Sequence, residues 1–238
     1  MKIAVLGTGA GARCHAAKLK ELGHQVTVGT RDPEATLART EPDMMGTPPF
    51  ADFLAGHPDL ALTTFADAAA AGELVINGID GANAVRTLTA IPSGALAGKV
   101  LIDYAVPFIY NPDVPHPWPT PWGTMPRLSP VDTDSLGEQI QRALPDTKVV
   151  KAFVTQEQET VVNPAEFGGG DHTMFVAGDH EDAKTAVAEL LRSYGWSDIL
   201  DLGSLHAARG MEMHSHLHTA IGLALGGSHR FGIKIVRT

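Results

Sequence analysis

The chain has 238 residues, enough for one large domain or for one domain with a small appendage. Its net charge of −9 argues against nucleic acid or an anionic membrane as a partner, and no apolar run approaches the roughly eighteen residues of a membrane span. The single cysteine, Cys14, excludes an internal disulfide, and the N-terminus enters a strand without a signal peptide, so a cytoplasmic protein is expected.

The first 32 residues predict a strand, a glycine turn, a helix and a second strand. The run Ile3–Leu6 is apolar throughout, as in a strand buried on both faces. A helical pattern follows the turn and ends at Gly23, and Gln25–Gly29 reads as the second strand. This order is typical of the opening of a Rossmann fold.

The turn itself has the spacing of a dinucleotide-binding motif. Gly7 permits the tight turn, Gly9 lets a pyrophosphate approach the backbone, and Ala12 allows close packing of helix on strand. The N–H groups at Ala10 and Gly11 would face the phosphate at the positive end of the helix dipole. The alternative is a glycine turn that binds nothing.

The end of the second strand indicates which cofactor binds. Enzymes that use NAD usually place a carboxylate there for the ribose hydroxyls. This chain has Thr30 and Arg31 instead, and an arginine fork with a neighbouring hydroxyl suits a 2′-phosphate. We therefore predict NADP, while Asp32 would reach the ribose if the register shifted by one residue.

Strands and helices alternate from Pro33 to Asp103. This rhythm predicts an α/β protein with a Rossmann-type doubly wound parallel sheet. Asn77 closes the fourth strand, Glu73–Asn77, at the sheet edge where ligands bind in such folds. The fifth strand is predicted over Lys99–Asp103.

The rhythm breaks at Pro107–Pro130, which holds eight of the sixteen prolines together with Trp118 and Trp122. Proline fixes φ and removes a donor, so a regular helix or central strand is excluded there. Long loops in compact domains are usually functional. The segment is either a wall or lid on the substrate side, or a surface loop held by its tryptophans.

Regular structure resumes after the loop. A helix is predicted over Asp134–Leu144, with Thr133 or Asp134 as its cap. Lys148–Val154 reads as a sixth strand, and the glycines 168–170 read as a flexible joint. A strand at Thr173–Ala177, a helix at Glu181–Tyr194 and a strand at Asp198–Leu202 follow.

One long helix, Ser204–Leu225, is predicted near the end. Its second half is almost entirely apolar, and with no later domain to cover it, a homodimer contact is expected. Gly232–Val236 reads as a final short strand. The chain thus divides into a cofactor-binding domain, residues 1–203, and a small C-terminal helical extension, residues 204–238, on the dimer and second-substrate side.

The terminal helix also carries histidines. His214 and His218 are one helical turn apart and could share a metal, although no glutamate lies between them and His216 points elsewhere. The alternative is a set of polar positions at a subunit or cleft surface, and we assign no metal ligand. His206 and Arg209 are better candidates for contacting an anionic second substrate.

Several stretches resemble the coenzyme F420-dependent NADP oxidoreductase family. They are GTGAGA and GTRDP near the start, residues 132–152 in the middle, then AGDHEDAKTAV, LGSLHAARGMEM and GIKIV. The resemblance covers nearly the whole chain. It implies a Rossmann domain with a small helical C-terminal part, usually dimeric, that moves hydride between NADP(H) and a deazaflavin.

By resemblance, individual residues receive roles. Thr8 to Gly11 would hold the pyrophosphate, and Thr30 and Arg31 the 2′-phosphate. Asn77 would lie near the ribose, Val150 and Ala152 near the nicotinamide. The deazaflavin would lie between the loop after Asp103 and the C-terminal helix. Two positions depart from the family: Ala35 stands where some relatives have a lysine, and the loop 104–122 is atypical.

Three functions fit these observations. The first is hydride transfer between NADP(H) and coenzyme F420, which needs alignment and exclusion of water and no catalytic acid or base from the protein. The second is NADPH-dependent reduction of another small molecule, such as an imine, ketone or quinone, with Tyr104, Tyr110 or a C-terminal histidine as proton donor. The third is a non-catalytic NADP sensor.

Overall fold

A computed structural model describes residues 1–43, 46–109 and 126–238 and shows a layered α/β fold over them. The strands are β1 (Lys2–Leu6), β2 (Gln25–Thr30), β3 (Ala61–Thr64), β4 (Leu74–Asn77), β5 (Val100–Asp103), β6 (Phe108–Ile109), β7 (Arg127–Leu128), β8 (Lys148–Ala152), β9 (Thr173–Gly178) and β10 (Asp198–Asp201). The helices are α1 (Ala10–Glu21), α2 (Pro33–Ala38), α3 (Phe50–Ala55), α4 (Phe65–Ala71), α5 (Gly81–Thr89), α6 (Leu136–Ala143), α7 (Gln158–Val162), α8 (Glu181–Tyr194) and α9 (Ala208–Ala224).

The main sheet has the strand order β10-β9-β8-β5-β4-β1-β2-β3. Strands β1 to β5 and β8 are parallel, which confirms the doubly wound Rossmann-type prediction. The strand β9, however, runs antiparallel to β8, with Val150 opposite Gly178. The connection from β8 passes through α7 and short 3₁₀ turns and does not return across a sheet face, so β9 starts beside the end of β8.

Two layers of helices enclose the sheet, each with its own apolar core. On one face α1 and α8 pack against the strands through residues such as Leu19 and Val187. On the other face α4, α5 and α6 do so through residues such as Leu88 and Ile140. The sheet's carboxyl edge, where β1, β4 and β5 end, is thereby left to loops and helix starts, as ligand binding requires.

Two predicted boundaries near the C-terminal half were wrong. The cap of α6 is Ser135, whose Oγ accepts from the Glu138 N–H, rather than Thr133 or Asp134. The predicted helix Ser204–Leu225 starts later, because a 3₁₀ turn at Leu205–Ala207 precedes α9. A helix cap is the residue whose side chain accepts a hydrogen bond from the free N–H groups of the first turn. Residue spacing in the sequence does not show which of several neighbouring polar side chains does so.

The C-terminal tail follows β9 without forming the predicted strand at Gly232–Val236. The Thr173 N–H donates to the Ile233 carbonyl over 2.7 Å, but the Ile235 N–H donates to the Thr173 hydroxyl over 3.0 Å. Because a side chain takes the place of a backbone carbonyl, no ladder forms. Lys234 and Arg237 tie the tail to Asp198 instead.

The two ends of the proline-rich segment pair with each other as the short strands β6 and β7, which the sequence did not predict. Phe108 pairs with Leu128, and Ile109 with Arg127, in antiparallel register. Residues 110–125, which include Tyr110, Trp118 and Trp122, lie outside the described residues. The predicted substrate wall or lid falls mainly on them and stays a prediction.

Among the described residues no helix is both long and apolar enough to cross a membrane. The apolar half of α9 is only partly covered. Thr219 and Gly222 are buried, whereas Leu217 and Leu225 are each 55% exposed. The helix therefore presents an apolar face to its surroundings.

Candidate cofactor site

The glycine turn between β1 and α1 has the backbone that a glycine at its first position requires. Gly7 has φ +126°, a region that side chains disfavour, and a Cβ there would lie 2.4 Å from the Gly78 carbonyl oxygen. The Gly7 N–H donates to the Gly29 carbonyl over 2.9 Å. Gly7 is therefore a glycine for reasons of the fold, as the motif predicts.

Gly9 differs from Gly7 because space is open above it. It caps α1 with φ −72°, an ordinary backbone value, and no atom of the described residues lies within 4 Å of a Cβ built there. The first turn of α1 has no acidic residue, so the N–H groups at Ala10 and Gly11 keep the positive end of the helix dipole. The geometry suits a phosphate group approaching the backbone.

Gly11 and Ala12 pack against the protein. A Cβ at Gly11 would lie 2.8 Å from the Gln158 side chain and 3.1 Å from the Tyr104 hydroxyl. Ala12 is 2% exposed within the core. Thr8 is partly buried, and its carbonyl accepts from Arg13 Nε over 2.9 Å. Within the motif, Gly9 therefore faces open space, whereas Gly11 and Ala12 pack against neighbouring parts of the protein.

Tyr104 lies beside the glycine turn, a placement that the sequence did not reveal. Its hydroxyl lies beside Gly78 as well as Gly11, since a Cβ at Gly78 would come within 2.4 Å of it. Burial raises the pKa of the Tyr104 hydroxyl above its ordinary value, which makes this hydroxyl a weaker acid than a free tyrosine. One O–H thus lies between the first turn of α1 and the turn after β4.

The end of β2 presents Arg31 and turns Asp32 away. Arg31 is exposed. Asp32 caps α2, its Oδ1 accepting from the Ala35 N–H over 3.0 Å. A carboxylate used in this way does not take the position that binds ribose hydroxyls, which favours the NADP interpretation over the one-residue shift.

Thr30 is 7% exposed and bonded within the protein. Its hydroxyl is 2.8 Å from that of Thr36, which donates in turn to the Asp32 carbonyl over 2.7 Å. Because the Thr36 hydrogen is used there, Thr30 is the donor to Thr36. Thr30 thus holds α2 in place, and Arg31 is the side chain at this strand end that is free to meet a ligand.

The predicted contact to the ribose, Asn77, and the predicted contacts to the nicotinamide, Val150 and Ala152, are fully buried. The Asn77 amide donates to Asp103 Oδ1 over 2.8 Å, and its oxygen accepts from the Ile79 N–H over 3.2 Å. None of the three offers an accessible side-chain surface in this structure. Their roles stay predictions.

Behind these residues lies a buried ionic network that the sequence analysis missed. Lys151 Nζ is 2.8 Å from Asp103 Oδ2 and 2.8 Å from Glu212 Oε1. The Glu212 carboxylate also accepts from the N–H groups of Leu136 and Gly137 at the start of α6. Burial alone would lower the pKa of the Lys151 ammonium, but Asp103 and Glu212 outweigh it and raise it.

Arg209 and His206, which were predicted to contact an anionic second substrate, differ in exposure and in their ionic partners. Arg209 is paired with Glu138 through two hydrogen bonds of 2.8 and 2.6 Å, and this pairing lowers the pKa of the Glu138 carboxyl. The positive charge of Arg209 is therefore already paired within the protein. His206 is largely exposed, with its Nε2 3.6 Å from the same carboxylate.

The histidines of α9 form ring contacts. His218 stacks on Phe231 at 4.5 Å and on His229 at 5.5 Å, and its ring lies 6.3 Å from that of His214. His216 Nε2 lies 3.2 Å from the Pro126 carbonyl oxygen. Within residues 1–43, 46–109 and 126–238, no group of three or more His, Cys, Asp or Glu side chains is placed to hold a metal ion.

A glycine turn opening a helix at the carboxyl edge of a doubly wound sheet defines a dinucleotide-binding protein of the Rossmann class. Residues 2–107 match the model of a family described as NADP oxidoreductase, coenzyme F420-dependent. A crystal structure from Arthrobacter sp. FB24, provisionally named an F420-dependent NADP reductase, is 47% identical, covers 100% of both chains and has a TM-score of 0.90. The chain belongs to the F420-dependent NADP oxidoreductase family and is by family an NADP-dependent oxidoreductase.

More distant similarities extend this picture. The metalloreductase STEAP3 of Rattus norvegicus is 29% identical over 89% of this chain, which spans only 36% of that protein's length. An imine reductase from Aspergillus terreus has a TM-score of 0.60 and 18% identity over 94% of this chain and 63% of its own. At that identity the likeness concerns the fold.

Proposed function

We propose that this protein transfers hydride between NADP(H) and a deazaflavin of the coenzyme F420 type. The assignment of NADP(H) as the cofactor rests on one observation at the end of β2: Arg31 is exposed, while Asp32 caps α2. The deazaflavin half is supported by the family and by the 47% identical Arthrobacter protein.

In this proposal the cofactor lies along the carboxyl edge of the sheet. The N–H groups of Ala10 and Gly11 hold the pyrophosphate above Gly9, with Thr8 beside them. Arg31 holds the 2′-phosphate, and Thr30 supports it by fixing the turn. Asn77, Val150 and Ala152 form the layer behind the ribose and nicotinamide, held by the Lys151 network.

The cofactors supply the reactive carbon atoms, and the protein aligns the two rings and excludes water from them. A hydride passing between two rings needs little acid or base from the protein, because solvent can supply the one proton that the deazaflavin takes up on reduction. We therefore assign no catalytic residue. This chain contributes a fixed arrangement of residues at the carboxyl edge of the sheet. Tyr104 fills the space between Gly11 and Gly78, and Glu212 holds α9 against the start of α6.

The test is oxidation of NADPH at 340 nm with and without added oxidised F420, and with NADH as the second donor. We expect F420-dependent turnover with NADPH and at least tenfold less with NADH. Arg31→Met should raise the NADPH KM, whereas the matched control Arg192→Met, an exposed arginine on α8, should not. NADPH binding without F420 turnover would refute the deazaflavin half.

A second candidate is reduction of another acceptor, supported by the STEAP3 similarity and by Tyr104. Reduction of an imine, ketone or quinone requires a proton, and the Tyr104 hydroxyl, which lies between the first turn of α1 and the turn after β4, is a candidate donor by its position. With a panel of such acceptors, this function predicts turnover that Tyr104→Phe lowers at least tenfold. F420-dependent turnover should survive the same substitution.

We also propose a homodimer, built on the exposed face of α9. Met213 and Leu217 on this helix are 38% and 55% exposed, and Leu225, which caps its C-terminal end, is 55% exposed. An apolar face of this kind is what a second copy would cover. In sedimentation velocity, Leu217→Glu should shift a dimer to monomers, and Leu37→Glu, a change at a 41% exposed leucine of α2, should not.

A further inference from the structure

An open cleft of about 540 Å³ lies beside Arg31, between the start of α4 and the second half of α5. Its walls include Arg31, Thr64, Phe65, Arg86, Thr87 and Ile91. The cleft combines an aromatic side chain and an aliphatic one with two guanidinium groups. It is continuous with the strand end that we assign to the adenosine side of the cofactor.

The two arginines are not neutralised by direct ion pairs. Both are exposed, and in the part of the chain that the structure describes neither takes part in a salt bridge. Arg86 Nη2 donates to the neutral amide oxygen of Asn83 over 2.5 Å, which orients the guanidinium without cancelling its charge. The Asp80 carboxylate accepts from the Asn83 amide over 2.7 Å, and the described residues show no ion pair between Asp80 and Arg86.

The helix α2, which follows Arg31 in the chain, contains no lysine or arginine. The first turn of α2 carries Glu34 and Ala35. Among the residues lining the cleft, Arg86 is therefore the second positive charge available to an anion at Arg31. Two cations facing one cleft, in a chain of net charge −9, indicate a group carrying more than one negative charge.

We propose that Arg86 completes, with Arg31, a two-arginine clamp for the 2′-phosphate of NADP(H) and so sets the preference for NADP over NAD. The inference rests on the proposed NADP site and adds a residue from α5 to it. A phosphomonoester carries nearly two charges at neutral pH and has oxygens for two guanidinium forks. Asn83 holds Arg86 in position before the phosphate arrives.

The test compares dissociation constants for NADP+, NAD+ and 2′,5′-ADP, measured by calorimetry on the full chain. The variants are Arg86→Met, Arg31→Met and the control Arg192→Met, each checked for folding by its thermal melt. We expect Arg86→Met to raise the Kd of NADP+ and of 2′,5′-ADP about tenfold, and that of NAD+ less than twofold. Arg86→Lys should recover part of the loss, since it keeps the charge and loses the fork.

The outcomes separate the clamp from the proposed function. If Arg31→Met weakens NADP+ binding and Arg86→Met does not, the clamp is wrong and the NADP site stands. Equal weakening of NADP+ and NAD+ by Arg86→Met would assign Arg86 to the shared part of the cofactor, which also overturns the clamp. If the unaltered protein binds NAD+ as tightly as NADP+ and Arg31→Met changes nothing, both proposals fail.

Discussion

Lys151 and Asp103 face each other across adjacent strands, with 2.8 Å between ammonium and carboxylate and neither side chain exposed. Glu212 reaches the same ammonium from α9 and accepts two N–H groups from the start of α6. One lysine therefore joins two sheet strands to the C-terminal helix. Because a buried charge without a partner costs several kcal/mol, each member of this group depends on the others.

Lys151→Met should lower the free energy of unfolding by about 3–5 kcal/mol, since it leaves two carboxylates buried without their cation. Urea unfolding at pH 7 measures it. Lys148→Met, at a partly exposed lysine paired with the exposed Asp182, should cost less than about 1 kcal/mol. Combining Lys151→Met with Asp103→Asn and Glu212→Gln should recover part of the loss. Similar effects at positions 148 and 151 would contradict the role of burial.

Gly7→Ala and Gly9→Ala should fail in different ways. At Gly7 the positive φ and the 2.4 Å approach to Gly78 predict a loss of stability of more than about 2 kcal/mol. At Gly9 an added methyl meets open space, so the melting temperature should fall little. The same methyl should raise the NADP+ Kd at least tenfold by keeping the pyrophosphate from the backbone. A Gly9→Ala variant that binds NADP+ normally would place the phosphate elsewhere.

Asp32→Ala should act on α2 and not on cofactor choice. Losing the cap of the Ala35 N–H should cost about 1 kcal/mol in urea unfolding. The NAD+ Kd should stay within twofold, because the carboxylate does not serve the ribose. A clear rise in that Kd would show that Asp32 is a ribose ligand and would reverse our interpretation of this strand end.

His15 predicts a loss of stability in mild acid. The ring is buried, with Nε2 2.8 Å from Gln158 Oε1 and Nδ1 3.2 Å from the Tyr194 hydroxyl. Burial lowers the pKa of His15 to about 4, while the Gln158 hydrogen bond opposes the shift. The unfolded chain therefore binds this proton more tightly, and the stability present above about pH 6.5 is lost as pH falls toward 4.

From pH 8 to pH 5 this one site should remove about 2 kcal/mol of unfolding free energy. In His15→Gln the decline over the same interval should be smaller than in the unaltered protein by about that amount. Urea titrations at the two pH values provide the comparison. An identical decline in both proteins would mean that His15 titrates normally in the folded state.

The fold was largely predictable because its signals are local. The apolar run at Ile3–Leu6, the glycine turn and the helix that stops at Gly23 each depend on residues close together in the chain. The position of Asp32 was harder to predict. Its role depends on a hydrogen bond to the Ala35 N–H, and the sequence analysis considered Asp32 only as a ribose ligand under a one-residue shift.

The parts that were missed depend on distant residues. Nothing near Lys151 in the sequence shows that Glu212 lies 2.8 Å away, and nothing near Gly11 shows that Tyr104 and Gln158 fill its side-chain space. The direction of β9 was missed for a related reason. It is decided by the route that the connecting segment takes, which hydrophobic periodicity does not report.

The reversal between β8 and β9 divides the sheet by direction. Strands β9 and β10 end at the opposite edge from β1, β4 and β5, so the segment that leads to α9 starts at the edge opposite the glycine turn. If α9 borders the acceptor, as the sequence analysis predicts, changes in the segment after β10 would alter the acceptor side and leave the glycine turn at the opposite edge unchanged. The two halves of the proposed reaction would then depend on parts of the chain that can vary separately.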